Sequence, residues 1–196
     1  MAYRLPPIDT VRNLPTTQKI QLLAHLFEPC DTLTQYIIPK LFPINTEANE
    51  QPFKNYKELI DKCHSLFSSL LSEINSSADP ELTHIANGII GAHPRLGPQK
   101  GGSALSSHSN SEQKSLAGSS AEETARLVEL NESYEKTFPG LRYVVFVNGR
   151  SRPAIMNDMV ERIFRNDIKA ERQAAIDAMC DIAWDRAKKL QSPSSQ

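Results

Sequence analysis

The apolar residues of this chain recur at intervals of three and four almost from end to end, a spacing that builds helices and leaves little else to build. The longest stripe is Tyr56, Leu59, Ile60, Cys63, Phe67, Leu70, Leu71 and Ile74, which keeps one face of a single helix throughout. Shorter stripes stand on either side of it. Ile20, Leu23 and Phe27 form the first, with Thr16 or Thr17 as its N-cap and Pro29 as its end, and Leu33 to Leu41 form a second. Leu82, Ile85, Ala86, Ile89 and Ile90 form a third, which stops at Gly91 and Pro94. Ser120 and Glu123 make a capping box before Leu127, Leu130, Tyr134 and Phe138. Two further helices are predicted near 155–164 and 168–190. Tyr143-Val144-Val145-Phe146-Val147 is strongly β-prone. A single run of this length with no second strand forms no sheet. It is therefore predicted as an extended buried segment, with a turn at Asn148-Gly149.

The fold expected is all-α: one multi-helix bundle over residues 1–196, a length that supports one hydrophobic core. Polar residues 43–51 read as a connector. A Gly/Ser-rich stretch spans about 98–120, with a flexible loop near 98–110. It reads either as a linker or as a mobile loop over a site, and the loop is favoured because a short helical turn fits 109–116. The tail from residue 191 is expected to fray. The net charge of −1 offers no excess of cations for a polyanion, so nucleic acid is not an expected partner. No apolar run approaches the length that crosses a bilayer, so neither is a membrane. The first residues do not resemble a secretory signal, and Ser194-Ser195-Gln196 is not a peroxisomal tripeptide. A cytoplasmic location is thus expected ahead of a peroxisomal one. Cys30, Cys63 and Cys180 are few, odd in number and widely spaced, as reduced packing thiols would be. Adjacent Cys63 and His64 diverge on a helix, and no metal site is expected.

His93-Pro94-Arg95-Leu96-Gly97 ends the third apolar stripe, and Glu112-Gln113 follows beyond the Gly/Ser connector. Imidazole moves protons near neutral pH, and a carboxylate within reach can orient it or share that work. The plainer reading is a helix ending at His-Pro with a surface Glu downstream. The last helix carries a second anomaly. Ile168, Ala175, Met179, Ile182 and Leu190 define its apolar side, and Arg186 occupies a place on it. A guanidinium there either snorkels to solvent or meets a carboxylate on the protein or on a ligand. Asn131, among Leu127, Leu130 and Tyr134, needs a hydrogen-bond partner if buried. His25, His64, His84 and His108 show no partner pattern and read as surface or core residues. Gly97 to Ser103 lacks the Gly and Lys spacing of a phosphate loop.

These residues, taken in order, resemble the OHCU decarboxylase family, whose substrate is 2-oxo-4-hydroxy-4-carboxy-5-ureidoimidazoline. The likeness covers about 14–190. Its marks are Leu26-Phe27-Glu28, Pro52-Phe53, His93-Pro94-Arg95-Leu96-Gly97, Glu112-Gln113, Ala117-Gly118, Leu130-Asn131, Tyr134, Phe138, Glu161-Arg162, Asn166, Glu171, Ile182 and Arg186. The resemblance implies an all-helical homodimer that decarboxylates this small molecule to S-allantoin in urate degradation, without metal or organic cofactor. By the same resemblance His93 matches the catalytic histidine, Glu112 its acidic partner and Arg186 the arginine of the final helix. Pro94, the stretch Ser109, Asn110, Ser111 and Gln113, and the segment Tyr143, Val144, Val145, Phe146 and Val147 match substrate-binding positions. A helical interaction module that kept the fold without the activity is the alternative.

Overall fold

The computed structural model describes residues 3–43, 52–97, 106–114 and 120–191, except the side chains of 113 and 114. The connector at 44–51, most of the Gly/Ser stretch and the tail beyond 191 lie outside them. The described chain is helical, with no β-strand. A short 3-10 turn, Ile8–Asn13, leads into α1 (Thr16–Leu26), α2 (Asp31–Leu41), α3 (Tyr56–Ser77) and α4 (Pro80–Gly91). Then follow α5 (Ser107–Lys114), α6 (Ala121–Thr137), α7 (Arg152–Arg165) and α8 (Ile168–Gln191).

Local chemistry sets most helix starts. Asn55 caps α3 by accepting from the Glu58 amide at 2.9 Å, and Asp79 caps α4 ahead of Pro80. Ser120 accepts from the Glu123 amide, as the capping box requires. Asp167 caps α8 through the Lys169 and Ala170 amides. The start of α1 departs from expectation. Thr16 and Thr17 are already helical, and Pro15, with no side-chain hydrogen bond to give, holds the N-cap position. A proline there has no amide to leave unpaired, and its fixed φ suits the entry. The face of α1 agrees with the expected one at Leu23 and Phe27, both fully buried, and departs from it at Ile20. Leu22, Leu23 and Leu26 are buried, whereas Ile20 is 39% exposed. The true stripe follows the Leu residues, and Ile20 lies on its solvent side.

The two longest helices, α3 and α8, pack along each other and form the spine. Helix α4 packs on α2, α3 and α8; α1 packs on α2 and α8; α6 pairs with α7. Every residue of the long α3 stripe is buried. One contiguous apolar core runs from Val11 to Ala187. The N-terminal segment is tied across it, because the Tyr56 hydroxyl donates to the Pro6 carbonyl at 2.7 Å. Tyr143 to Val147 is extended, as its composition predicts. Tyr143 and Val144 are buried, while Val145, Phe146 and Val147 are half-buried. The following turn has positive φ at both Asn148 (41°) and Gly149 (75°), the Asn-Gly form that tolerates this backbone. Of the loop expected near 98–110, residues 107–110 belong to helix α5, and 98–105 lie outside the described residues.

Candidate active site

Three helix termini and one extended segment meet beside the C-terminal half of α8. At the end of α4, Pro94 bars His93 from helical backbone, so the chain turns and the imidazole is left at the helix end. His93 is 6% exposed, and its Nε2 has no hydrogen-bond partner among the described residues. Burial lowers its pKa to about 4, with Arg186 pushing the same way, while Glu28 and Glu112 oppose. At neutral pH the ring is an uncharged imidazole, able to give or take a proton once a ligand supplies a partner.

Arg186 is the hub. It is 2% exposed, which removes the snorkelling alternative and leaves the paired one. Its Nε donates to Glu112 Oε1 at 2.7 Å and its Nη2 to Glu112 Oε2 at 2.8 Å, a bidentate fork. The same Nη2 donates to Glu28 Oε1 at 2.6 Å and approaches Ser109 Oγ at 3.3 Å. Ser109 Oγ in turn donates to Glu28 Oε1 at 2.6 Å. Burial works against a charge on Glu28, but the Arg186 guanidinium and the Ser109 hydrogen bond outweigh it, so its carboxyl lies below the usual range. Burial likewise opposes the charge on Arg186, and its two carboxylates more than offset that. Nη1 of Arg186 is buried with no partner among the described residues, a donor that a ligand could use.

His93, Arg186 and Glu112 border a cavity of about 320 Å³, ample for a small organic molecule. His93, Pro94, Ser109, Ser111, Glu112, Arg186 and all of Tyr143 to Val147 line it, together with Leu96, Asn148, Gly149, Ile182, Asp185 and Lys189. One anticipated position, Asn110, stands apart, and another, Gln113, has an undescribed side chain. Asn110 is exposed and does not line the cavity, because on α5 the inward face is the one shared by Ser109 and Glu112. Gln113 lies on α5, but its side chain is outside the described ones. Arg95 is turned away to Glu135 of α6, which accepts its Nε at 2.6 Å. Asn131 is buried, and its amide donates to the carbonyls of Leu96 (3.0 Å) and Leu127 (2.8 Å), bracing the turn after His93.

Two features escaped the sequence reading. Glu28 is one, although a signal existed: Glu28-Pro29 repeats the pattern of His93-Pro94, a polar residue before proline at the end of an apolar helix. Its φ of 135° is costly for a residue other than glycine, on the order of 1–3 kcal/mol. The other is the pair His25 Nδ1 and His108 Nε2, 2.9 Å apart, which joins α1 to α5. No local pattern links two residues so far apart in sequence.

The extended segment has its own brace. Arg162 on α7 donates to the Val144 carbonyl at 3.2 Å and to Glu171 of α8 at 2.9 Å. Glu171 is fully buried and also accepts from Tyr134 (2.8 Å) and Arg165 (2.5 Å). Tyr143 donates to Asp158. Burial and that acceptor push the Tyr143 phenol above its ordinary pKa, so it stays a donor. No group of three or more His, Cys, Asp or Glu able to hold a metal ion occurs among the described residues.

With this geometry in hand, comparison with known proteins adds one match. The family model described as OHCU decarboxylase covers residues 12–188, from the 3-10 turn into the last turns of α8. No curated protein matches the chain.

Proposed function

The chain belongs to the OHCU decarboxylase family, and from that premise we propose that it removes the carboxylate of 2-oxo-4-hydroxy-4-carboxy-5-ureidoimidazoline as carbon dioxide and yields S-allantoin. The observation that carries this reading is the meeting of His93, Glu112 and Arg186, from three separate elements, on one cavity of small-molecule size.

The chemistry asks for few parts. When the bond from ring carbon to carboxylate breaks, its electron pair moves into the adjacent ring C=N, and that nitrogen takes up a proton. The resulting enol then gains a proton at the ureido-bearing carbon and loses one from its hydroxyl. The substrate's own imine is the electron sink, so the reaction needs no cofactor to hold the charge. A protein speeds such a step by fixing the ring and by placing donors where negative charge grows. An uncharged, buried His93 is suited to move the proton, with Glu112 fixed by Arg186 as the neighbouring acid-base group. Among the described residues the extended segment at Tyr143 to Val147 has no sheet partner; Arg162 and Arg150 take the carbonyls of Val144, Phe146 and Val147, and its other backbone groups would serve the polar edge of the ring. Proton delivery from one wall of the cavity would set the handedness of the product. Among the described residues no helix is long and apolar enough to cross a membrane.

The test follows optical activity. Freshly made substrate decays slowly to racemic allantoin. The wild-type chain is expected to speed carbon dioxide release and to give one hand of product by circular dichroism. His93→Ala, correctly folded, is expected to lose about 100-fold or more of that rate. Wild-type turnover no faster than spontaneous decay overturns the reading in favour of an inactive helical module. Undiminished stereospecific turnover by His93→Ala overturns the role of the imidazole.

A further inference from the structure

We propose that Glu28 is a positioning residue of this site: it fixes the rotation of the Arg186 guanidinium and the seat of α5, and through both it sets where the Glu112 carboxylate stands. The proposal deepens the decarboxylase reading and rests on it for its kinetic part only.

Glu28 does not line the cavity, so it has no direct route to a ligand. Its single oxygen Oε1 gathers three donors: Arg186 Nη2 at 2.6 Å, Ser109 Oγ at 2.6 Å and Ser106 Oγ at 3.2 Å. Two of these belong to the start of α5 and one to α8. Nη2 carries two hydrogens. One is directed to Glu112 Oε2, and Glu28 takes the other. With both claimed, the guanidinium plane cannot turn about the Cδ–Nε bond, and its Nε and Nη2 stay aligned with the two oxygens of Glu112. Remove the acceptor at Glu28 and the plane is free to swing, carrying Glu112 with it. The seat of α5 depends on the same oxygen. This helix, Ser-His-Ser-Asn-Ser-Glu-Gln-Lys, has no apolar side chain with which to pack. Among the described side chains, Ser109, His108 and Glu112 anchor it through polar contacts.

Charge gives the same residue a second effect. The charged groups facing His93 are Glu28 beyond the end of α1, Glu112 on α5 and Arg186 on α8. Asp185 and Lys189 border the same cavity and pair with each other at 2.5 Å. Glu28 offsets Arg186, so that the balance felt by the imidazole is left to Glu112. Loss of the Glu28 charge uncovers the guanidinium and makes His93 harder to protonate. The backbone at Glu28 adds a further mark. A positive φ held just before Pro29 is a cost that the fold sustains at this position, and it aims the carboxylate inward.

The experiment uses the full chain as wild type, Glu28→Gln and Glu28→Asp. The His93 ring is titrated by NMR, with its resonance assigned from His93→Asn, and kcat and KM are measured for decarboxylation. Glu28→Gln keeps the shape but loses the charge, which leaves Arg186 Nη2 and the two serine hydroxyls a weaker, neutral acceptor. It is expected to move the His93 titration to lower pH and to lower kcat by about ten- to a hundred-fold, the usual effect of losing a supporting partner behind a reacting group, with KM changed far less. Glu28→Asp keeps the charge and shortens the reach. It is expected to leave the His93 titration near its wild-type position and to restore part of kcat. A Glu28→Gln chain with wild-type kcat and an unmoved His93 titration overturns the proposal. So does a loss confined to KM in both variants. If Glu28→Gln does not fold, Glu28→Asp decides: a fall in kcat at constant KM supports the proposal, and an unchanged kcat overturns it. If the wild type does not decarboxylate, the decarboxylase reading fails by itself. The titration then decides the placement of Glu28, and an unmoved His93 overturns it.

Discussion

His93 and Arg186 show how two buried polar side chains reach opposite solutions. The imidazole is neutral because its surroundings are dry, and the guanidinium stays charged because two carboxylates share it. Each solution predicts a response to acid or to truncation. The folded-state pKa of His93, about 4, lies below the ordinary value near 6.5, so protons bind the unfolded chain more readily. The native margin is therefore full above pH 6.5 and falls as pH drops towards 4, by up to about 3 kcal/mol from this residue. His25 and His108 are shifted the same way by burial and by each other or Arg186. Glu28, held below the usual carboxylate range, adds its loss only at lower pH, as its carboxyl protonates. His93→Gln is thus expected to remove part of the slope of urea stability between pH 6.5 and 4.5. A slope unchanged from wild type would mean that the ring is charged in the fold. Arg186→Ala leaves Glu28 buried without its cation, and the expected cost is about 3–5 kcal/mol in urea unfolding at pH 7. Arg186→Lys keeps a charge but not the fork. It should cost less stability while still lowering kcat.

At the scale of the element, packing and polar contacts divide the helices into two kinds. Helix α1 belongs to the first, and its register is a packing fact. Leu23→Ala is expected to cost about 2–5 kcal/mol, whereas Ile20→Ser should stay within about 0.5 kcal/mol, because only the first removes buried carbon. Urea midpoints of the two variants check that Leu23, and not Ile20, lies on the buried face. Helix α5 belongs to the second kind. Without apolar contacts its opening is expected to be local, so its amides should exchange with deuterium far sooner than those of α3 and α8. His108→Ala, which removes the contact to His25, should speed that exchange further without changing the slow amides of α3. Equal protection of α5 and α3 would contradict a helix that has no apolar side chain of its own to bury.

For the whole molecule, the spine of α3 and α8 makes the site and the core one structure. The helix that presents Arg186 to the cavity also buries Ala175, Met179 and Ile182 in the core. Trp184, the single tryptophan of the chain, stands on that helix two residues before Arg186 and packs against the core. Its fluorescence and the far-ultraviolet circular dichroism are expected to report one urea transition with a common midpoint. A separate, earlier change at Trp184 would show that the end of α8 melts apart from the spine. Phe67→Ala, in the centre of α3 and edge-on to Phe27 at 5.8 Å, should lower both signals together, by about 3–5 kcal/mol.

The sequence by itself determined the helices and the class of fold. Spacing of apolar residues is a local property, and the stripe from Tyr56 to Ile74 is buried at every position it named. Proline and the capping residues fixed where several helices begin or end, because backbone sterics and orphan amides act within a few residues. The isolated β-prone run announced the extended segment for the same reason. Periodicity also exposed Arg186 as a charge on an apolar face, but it left open whether that charge met solvent or a carboxylate. Only the tertiary structure decided that, by bringing Glu28, Ser109 and Glu112 to it from distant parts of the chain. The His25–His108 contact and the exposure of Ile20 on α1 have the same origin. Burial and pairing across the fold depend on where helices pack, and packing is settled by all of the helices together rather than by any one of them.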